Sequence, residues 1–220
     1  MLSPVDILKA PFRFYKRSVW KVGPMAANPY ATHIPVLVAC AQLFRPASVL
    51  ELGSGDFSTP LFLNREIFSE VTHLCSLENN ADWFRHMEHV QDPRLERVLI
   101  KGSISEALET FDCTGFDLIF VDDSSHAKIR RRTLGTLRKK ITSQIVVIHD
   151  VDQWRVRLGA CSLPRHHEMR GITPQSAIAW NSRPVAKQKL AEADEIMRIH
   201  KHRISEEHAL LWRDLFRQLA

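Results

Sequence analysis

Alternation constrains this chain more than any other feature of its sequence. Short apolar runs at residues 48–52, 71–77, 96–100, 116–121 and 144–148 are rich in Val, Ile, Leu and Phe. Runs of that length, apolar at nearly every position, are strands buried on both faces. Residues 58–68, 81–90, 104–111 and 128–140 lie between them and carry helical spacing. Strands that alternate with helices of about ten residues make a parallel sheet covered on both sides. Right-handed crossovers then wind it doubly. Ligands of such sheets sit beyond the carboxyl ends of the strands. The residues that fall at those ends are Glu51 to Gly55, Glu78, Lys101 to Ser103, Asp122 with Asp123, and His149 with Asp150.

The flanks differ in character. Thr32 precedes a helical pattern running through Ile34, Leu37, Val38, Ala41 and Leu43, and is expected to cap it, with Pro35 tolerated in the first turn. Residues 151–163 read as a further helix. Residues 166–169 and 175–180 read as two short strands around Gly171 and Pro174, expected to form an antiparallel edge. Residues 186–220, rich in Lys, Arg, Glu and Leu, read as one or two terminal helices, with a helix start at Ser205-Glu206-Glu207. Residues 1–22 interleave Phe12, Phe14, Tyr15 and Trp20 with Arg13, Lys16, Arg17 and Lys21, the pattern of an amphipathic helix. The expected organisation is an N-terminal helical or lid segment at 1–30, an α/β domain at 31–185 and a C-terminal helical extension at 186–220.

Composition narrows the functional classes. With 45% hydrophobic and 25% charged residues the chain is globular, and no apolar run reaches the roughly 18 residues of a membrane span. Asp6, Lys9, Arg13, Lys16 and Arg17 interrupt the N-terminal apolar runs, which therefore do not read as a secretory signal. A net charge of +5 is ordinary for an enzyme and does not by itself call for nucleic acid. Arg130-Arg131-Arg132 accordingly reads as a solvated helix face. Cys40, Cys75, Cys113 and Cys161 are widely spaced, with no Cys-x-x-Cys. Three of them sit in apolar runs, where a free thiol acts as a small hydrophobe, and the simple inference is a reducing, cytoplasmic compartment.

The chemistry begins at Glu51-Leu-Gly-Ser-Gly55-Asp-Phe-Ser58. Glycines between a strand and a helix let a ligand approach the backbone. A dinucleotide fingerprint adds a third glycine three places on, where this chain has Ser58. Glu51, two places before the first glycine, is awkward for a pyrophosphate and suits an ammonium group. Glu78 closes the second strand, where a carboxylate accepts both hydroxyls of a ribose.

Glu51-Leu-Gly-Ser-Gly55 resembles motif I of class I S-adenosylmethionine (SAM)-dependent methyltransferases. Ser76-Leu-Glu78-Asn79, followed by Trp83 and Phe84, resembles their motif II. Val121-Asp122-Asp123-Ser-Ser-His126 is similar to the Val-Asp-Gly-Ser-His segment of the small-molecule O-methyltransferase-like subgroup, and Ile145 to Asp150 is similar to that subgroup's fifth strand. The resemblance spans roughly residues 30–180. It implies a seven-stranded, mostly parallel, Rossmann-like sheet with an antiparallel edge. It also implies methyl transfer from SAM to a small-molecule acceptor, at a hydroxyl oxygen. By position, the Gly53-Ser54-Gly55 turn holds the methionine moiety, with Glu51 near its amino group, and Ser58 is counted among the cofactor-binding residues. Glu78 takes the ribose, Asn79 lies beside the adenine, and Gly102, Ser103 and Ile104 line the adenine edge. Asp122 or Asp123 faces the sulfonium.

Some members of that subgroup hold a divalent cation, Mg²⁺, with acids after the fourth and fifth strands. The corresponding residues here are Asp122, Asp123 and Asp150. The set departs from both known patterns: Asp150 is followed by Val151 where one subgroup has Asn, and preceded by His149 where another has Glu. His126 stands where the similar proteins can place a general base, and His149 is the second candidate. Two other classes remain open from sequence. One is a nicotinamide oxidoreductase, against which stand Ser58 and the lack of a Tyr-x-x-x-Lys pair. The other is a SAM-binding or partner-binding module without turnover. The terminal helices leave a homodimer open.

Overall fold

The structure is a computed structural model that describes residues 29–219. The expected amphipathic segment at 1–22 lies outside the described residues. A seven-stranded sheet runs in the order β3-β2-β1-β4-β5-β7-β6. Its strands are β1 (Ser48–Leu52), β2 (His73–Glu78), β3 (Leu95–Leu99), β4 (Leu118–Val121), β5 (Ile145–His149), β6 (Arg165–Met169) and β7 (Ser176–Trp180). The first five are mutually parallel, and β7 pairs antiparallel with both β5 and β6. The expected doubly wound sheet and antiparallel edge are both present. Strand order reverses between β1 and β4, which is where such sheets open a crevice for ligands.

The helices are α1 (Ile34–Phe44), α2 (Ser58–Leu63), α3 (Ala81–His86), α4 (Ile104–Thr110), α5 (Ala127–Leu137), α6 (Trp154–Cys161), α7 (Lys187–His200) and α8 (Ala209–Phe216). Two apolar layers flank the sheet. One joins Leu37, Val38, Phe62, Phe120, Val147, Trp180, Met197, Trp212 and Phe216, bringing α1, α2, α7 and α8 onto one face. The other joins Leu50, Leu52, Leu108, Ile119, Leu134, Ile148, Val156 and Ala160, bringing α4, α5 and α6 onto the opposite face. Alternate residues of β1, β4 and β5 thus serve opposite layers, as strand geometry requires.

Several boundaries differ from the sequence pattern for local reasons. The helix expected to reach residue 68 stops at Leu63. There the Asn64 carboxamide accepts the Glu66 N–H at 2.9 Å and the Asn64 carbonyl accepts from Ile67 and Phe68, an alternative to the helical ladder. Thr32 does not cap α1; His33 occupies that position without a side-chain cap, and the Thr32 hydroxyl meets His149 instead. Cys40, Cys75 and Cys113 are buried, unpaired thiols, and burial pushes the Cys75 thiol up to about 12. No helix among the described residues is long and apolar enough to cross a membrane.

The C-terminal helices are not an appendage. Trp212 is fully buried, stacks on Phe216 with ring centroids 5.6 Å apart, and donates its indole N–H to the Arg203 carbonyl at 2.9 Å. Truncating a buried aromatic of this size costs about 3–5 kcal/mol. Trp212→Ala is therefore expected to lower the unfolding free energy in urea by that amount with one cooperative transition. A loss below about 1 kcal/mol would show α7 and α8 to be energetically separate from the sheet.

Candidate active site

The glycine turn after β1 is fixed from below. Glu51 is fully buried, and three hydroxyls close its carboxylate: Ser58 donates at 2.5 Å, Ser76 at 2.6 Å and Thr59 at 2.7 Å. Burial dominates, and although the three donors pull the other way, the group is pushed up to about 7. Glu51 and Ser58 thus belong to a closed network beneath the turn. Their side chains already satisfy one another, which corrects the expectation of Glu51 near the methionine amino group and of Ser58 among the cofactor-binding residues.

The turn itself is pressed against β4. Gly53 has φ +91°, and a Cβ there would lie 2.5 Å from the Asp122 carbonyl oxygen. Only glycine tolerates both conditions. Ser54 connects the turn to β2: its N–H donates to Glu78 Oε2 at 3.1 Å, its hydroxyl meets that of Ser76 at 2.8 Å, and its carbonyl accepts the Trp83 indole N–H at 2.5 Å. Gly55 donates its N–H to the Thr59 hydroxyl at 3.1 Å.

Glu78 ends β2 as expected, and its carboxylate is held rigidly. Oε1 accepts from Asn79 N–H at 2.8 Å and Asn80 N–H at 2.7 Å, besides the Ser54 bond to Oε2. A carboxylate offers about four acceptor positions, so one remains. Asn79 donates its carboxamide to the Gly102 carbonyl at 3.0 Å, and Gly102 has φ +94°. Ser103 caps α4 in a reciprocal capping box with Glu106. Ile104 is 2% exposed and packs in the layer under α4, which corrects its expected place along the adenine edge.

Beyond β4 and β5 lies a charged cluster that the sequence reading missed. Arg130 is 2% exposed. It binds Asp122 Oδ1 at 2.5 Å, Asp150 Oδ2 at 2.9 Å, the Ser124 carbonyl at 2.5 Å and the His149 carbonyl at 3.0 Å. The solvated-face reading holds for Arg131 and Arg132, which are exposed, and is corrected for Arg130. A signal for it existed: Arg130, Thr133, Leu134 and Leu137 form the buried stripe of α5 at helical spacing. Asp150 reaches the guanidinium from a left-handed backbone, φ 59°, which Asp accepts more readily than most residues.

This arrangement does not suit the incomplete Mg²⁺ set that the resemblance offers. The Arg130 guanidinium stands between Asp122 and Asp150, where a cation shared by them would have to sit. Asp123 is turned inward: its side chain is 1% exposed and accepts from the Thr133 hydroxyl at 2.5 Å. Burial raises its carboxyl above the usual range. Asp123 is thereby corrected both as a metal ligand and as the acid facing the sulfonium; of the two acids, Asp122 has the more exposed side chain.

Asp122 also faces His149. Its Oδ2 is 3.4 Å from His149 Nδ1, and His149 Nε2 is 2.9 Å from the Thr32 hydroxyl. Burial alone would lower the imidazole; the Asp122 charge, with Asp150 behind it, outweighs burial and raises it above its ordinary value. Burial would raise Asp122, and the His149 and Arg130 charges more than reverse that, holding the carboxyl well below the usual range. His149 is 5% exposed and engaged on both sides, whereas His126 is exposed at the start of α5 with no capping bond from its side chain.

No family model matches the sequence, and no curated protein matches it. Solved structures do. A spermidine synthase in complex with the transition-state analogue AdoDATO is 14% identical, with 84% of this chain and 75% of that chain covered and a TM-score of 0.53. An O-methyltransferase from Bacillus cereus in complex with S-adenosylhomocysteine (SAH) is 16% identical, covering 81% and 92%, with a TM-score of 0.49. Human methyltransferase-like protein 13 in complex with SAH is 16% identical, covering 79% and 88%, also at 0.49. The strand order, parallel core and antiparallel edge are those of the Rossmann-like methyltransferase fold.

The Glu51 network makes stability depend on pH. An acid whose pKa is raised by folding stabilises the native state fully below its unfolded value, near 4.5, and that contribution is lost as pH rises through the folded value, about 7. The unfolding free energy of the wild type relative to Glu51→Gln is expected to fall by about 3 kcal/mol between pH 4.5 and pH 8. A difference that stays flat with pH in urea titrations would contradict the buried carboxylate.

Proposed function

We propose that this protein transfers a methyl group from SAM to a hydroxyl oxygen of a small molecule. The fold alone does not choose, since spermidine synthase shares it. The observation that carries the reading is the pressing of Gly53 against the Asp122 backbone. It makes the glycine turn, the Glu78 carboxylate and the Asp122 side chain one continuous rim. In this reading the remaining acceptor position of Glu78 takes a ribose hydroxyl. The backbone between Gly53 and Gly55 approaches the methionine part, and Asn79, Gly102 and Ser103 border the adenine. Asp122, anionic and next to the turn, faces the sulfonium.

Methyl transfer is an in-line displacement: the acceptor oxygen attacks the methyl carbon as the carbon–sulfur bond breaks. Proximity and orientation supply much of its rate. A hydroxyl acceptor must also lose a proton, and in this reading His126, exposed at the start of α5, takes it. His149, enclosed by Thr32 and Asp122, positions the carboxylate instead.

Calorimetric titration with SAH is expected to show one site per chain. Glu78→Gln should weaken it at least about tenfold by removing the anionic acceptor. No heat at millimolar SAH from the folded wild type would overturn the reading. With an acceptor found by screening for loss of SAM, His126→Ala should lower turnover by about 10²–10⁴-fold while leaving SAH affinity unchanged. Equal turnover in that variant would remove the assigned base.

A further inference from the structure

His33 is a buried residue beside the rim that methyl transfer leaves unexplained. It is 4% exposed, and among the described residues neither of its ring nitrogens has a hydrogen-bond partner. Buried polar nitrogens are nearly always satisfied, so an imidazole with two orphaned nitrogens asks for a missing partner. Its ring stands edge-on to His149, with centroids 5.1 Å apart. Ligating atoms of His33, Asp122 and His149 all lie within 4.8 Å of one another.

We propose that His33, Asp122 and His149 form a site for a divalent transition-metal ion, distinct from the all-carboxylate Mg²⁺ set that Arg130 displaces. Three details support it. The 3.4 Å between His149 Nδ1 and Asp122 Oδ2 is the spacing of two ligand atoms on one ion; bonds of about 2.1 Å at a tetrahedral angle give about 3.4 Å. The outer groups are in place. A proton on His149 Nε2, donated to Thr32 at 2.9 Å, leaves the Nδ1 lone pair pointing inward, and Arg130 fixes the far oxygen of Asp122. Finally, the Asp122 side chain is 27% exposed, so the site has an opening to the rim. Two imidazoles and one carboxylate select ions such as Zn²⁺ or Co²⁺ over Mg²⁺, which prefers oxygen ligands. Three protein ligands leave a position open for an acceptor oxygen or water.

The test uses metal alone, with neither SAM nor acceptor, so it succeeds or fails independently of methyl transfer. Chelator-stripped protein is titrated with Co²⁺. The expected result is a visible ligand-field spectrum that saturates at one ion per chain, is displaced by stoichiometric Zn²⁺ and resists a large excess of Mg²⁺. His33→Gln should weaken Co²⁺ binding at least tenfold. His166→Ala should leave it unchanged, which separates this site from the more exposed Cys161–His166–Glu168 group. Absence of the spectrum, equal displacement by Mg²⁺, or a spectrum lost in His166→Ala but kept in His33→Gln would overturn the proposal. Should His33→Gln not fold, wild-type imidazole NMR decides: Co²⁺ must broaden His33 and His149 first, and broadening that begins at His166 contradicts the site.

Discussion

The close approach of Gly53 to the Asp122 carbonyl organises the whole site. Two adjacent parallel strands end there, and the chain leaves them in opposite directions around the sheet. A side chain at residue 53 would collide with the β4 backbone at 2.5 Å and would also be forced into φ +91°. Glycine permits the contact, and everything at the rim inherits its position from it. Ser54 is carried to the Glu78 carboxylate, and Asp122 is delivered beside the turn at a fixed distance from His149.

Two buried electrostatic clusters hold this arrangement, and they work differently. Under the turn, one carboxylate is surrounded by hydroxyls, and burial pushes Glu51 up to about 7. Under the rim, Asp122 and Asp150 share a buried guanidinium, and Asp122 stays anionic. Removing one partner from such a cluster leaves an uncompensated charge, which costs more than the intact cluster gains. Arg130 therefore fixes the direction in which Asp122 points. It also pre-empts the place of a cation bound by Asp122 and Asp150.

The sheet was legible from sequence because buried parallel strands write themselves as unbroken apolar runs. Residues 145–148 and 118–121 need no partner to be recognised. Glycine positions, Glu78 and the acidic pair after the fourth strand were legible too, because strand ends in this architecture meet on one side. Direction of side chains was not. Nothing local distinguishes Asp122 from Asp123, yet strand alternation turns one to the rim and the other toward Thr133. Arg130 hid inside a run of three arginines, and only the apolar spacing of Leu134 and Leu137 marks its face as the buried one. His33 and Thr32 precede the first strand, so their meeting with His149, 117 residues from Thr32, depends on how α1 lies across the sheet.

The central claim is that the Gly53 turn, Glu78 and Asp122 form a single cofactor-binding rim. A crystal structure of the protein with SAH tests it most directly. The account predicts the ribose on Glu78, the adenine beside Asn79 and Gly102, and the sulfur between the Gly53 turn and the Asp122 side chain. Finding the ribose away from Glu78, or the sulfur outside contact with Asp122, would contradict it.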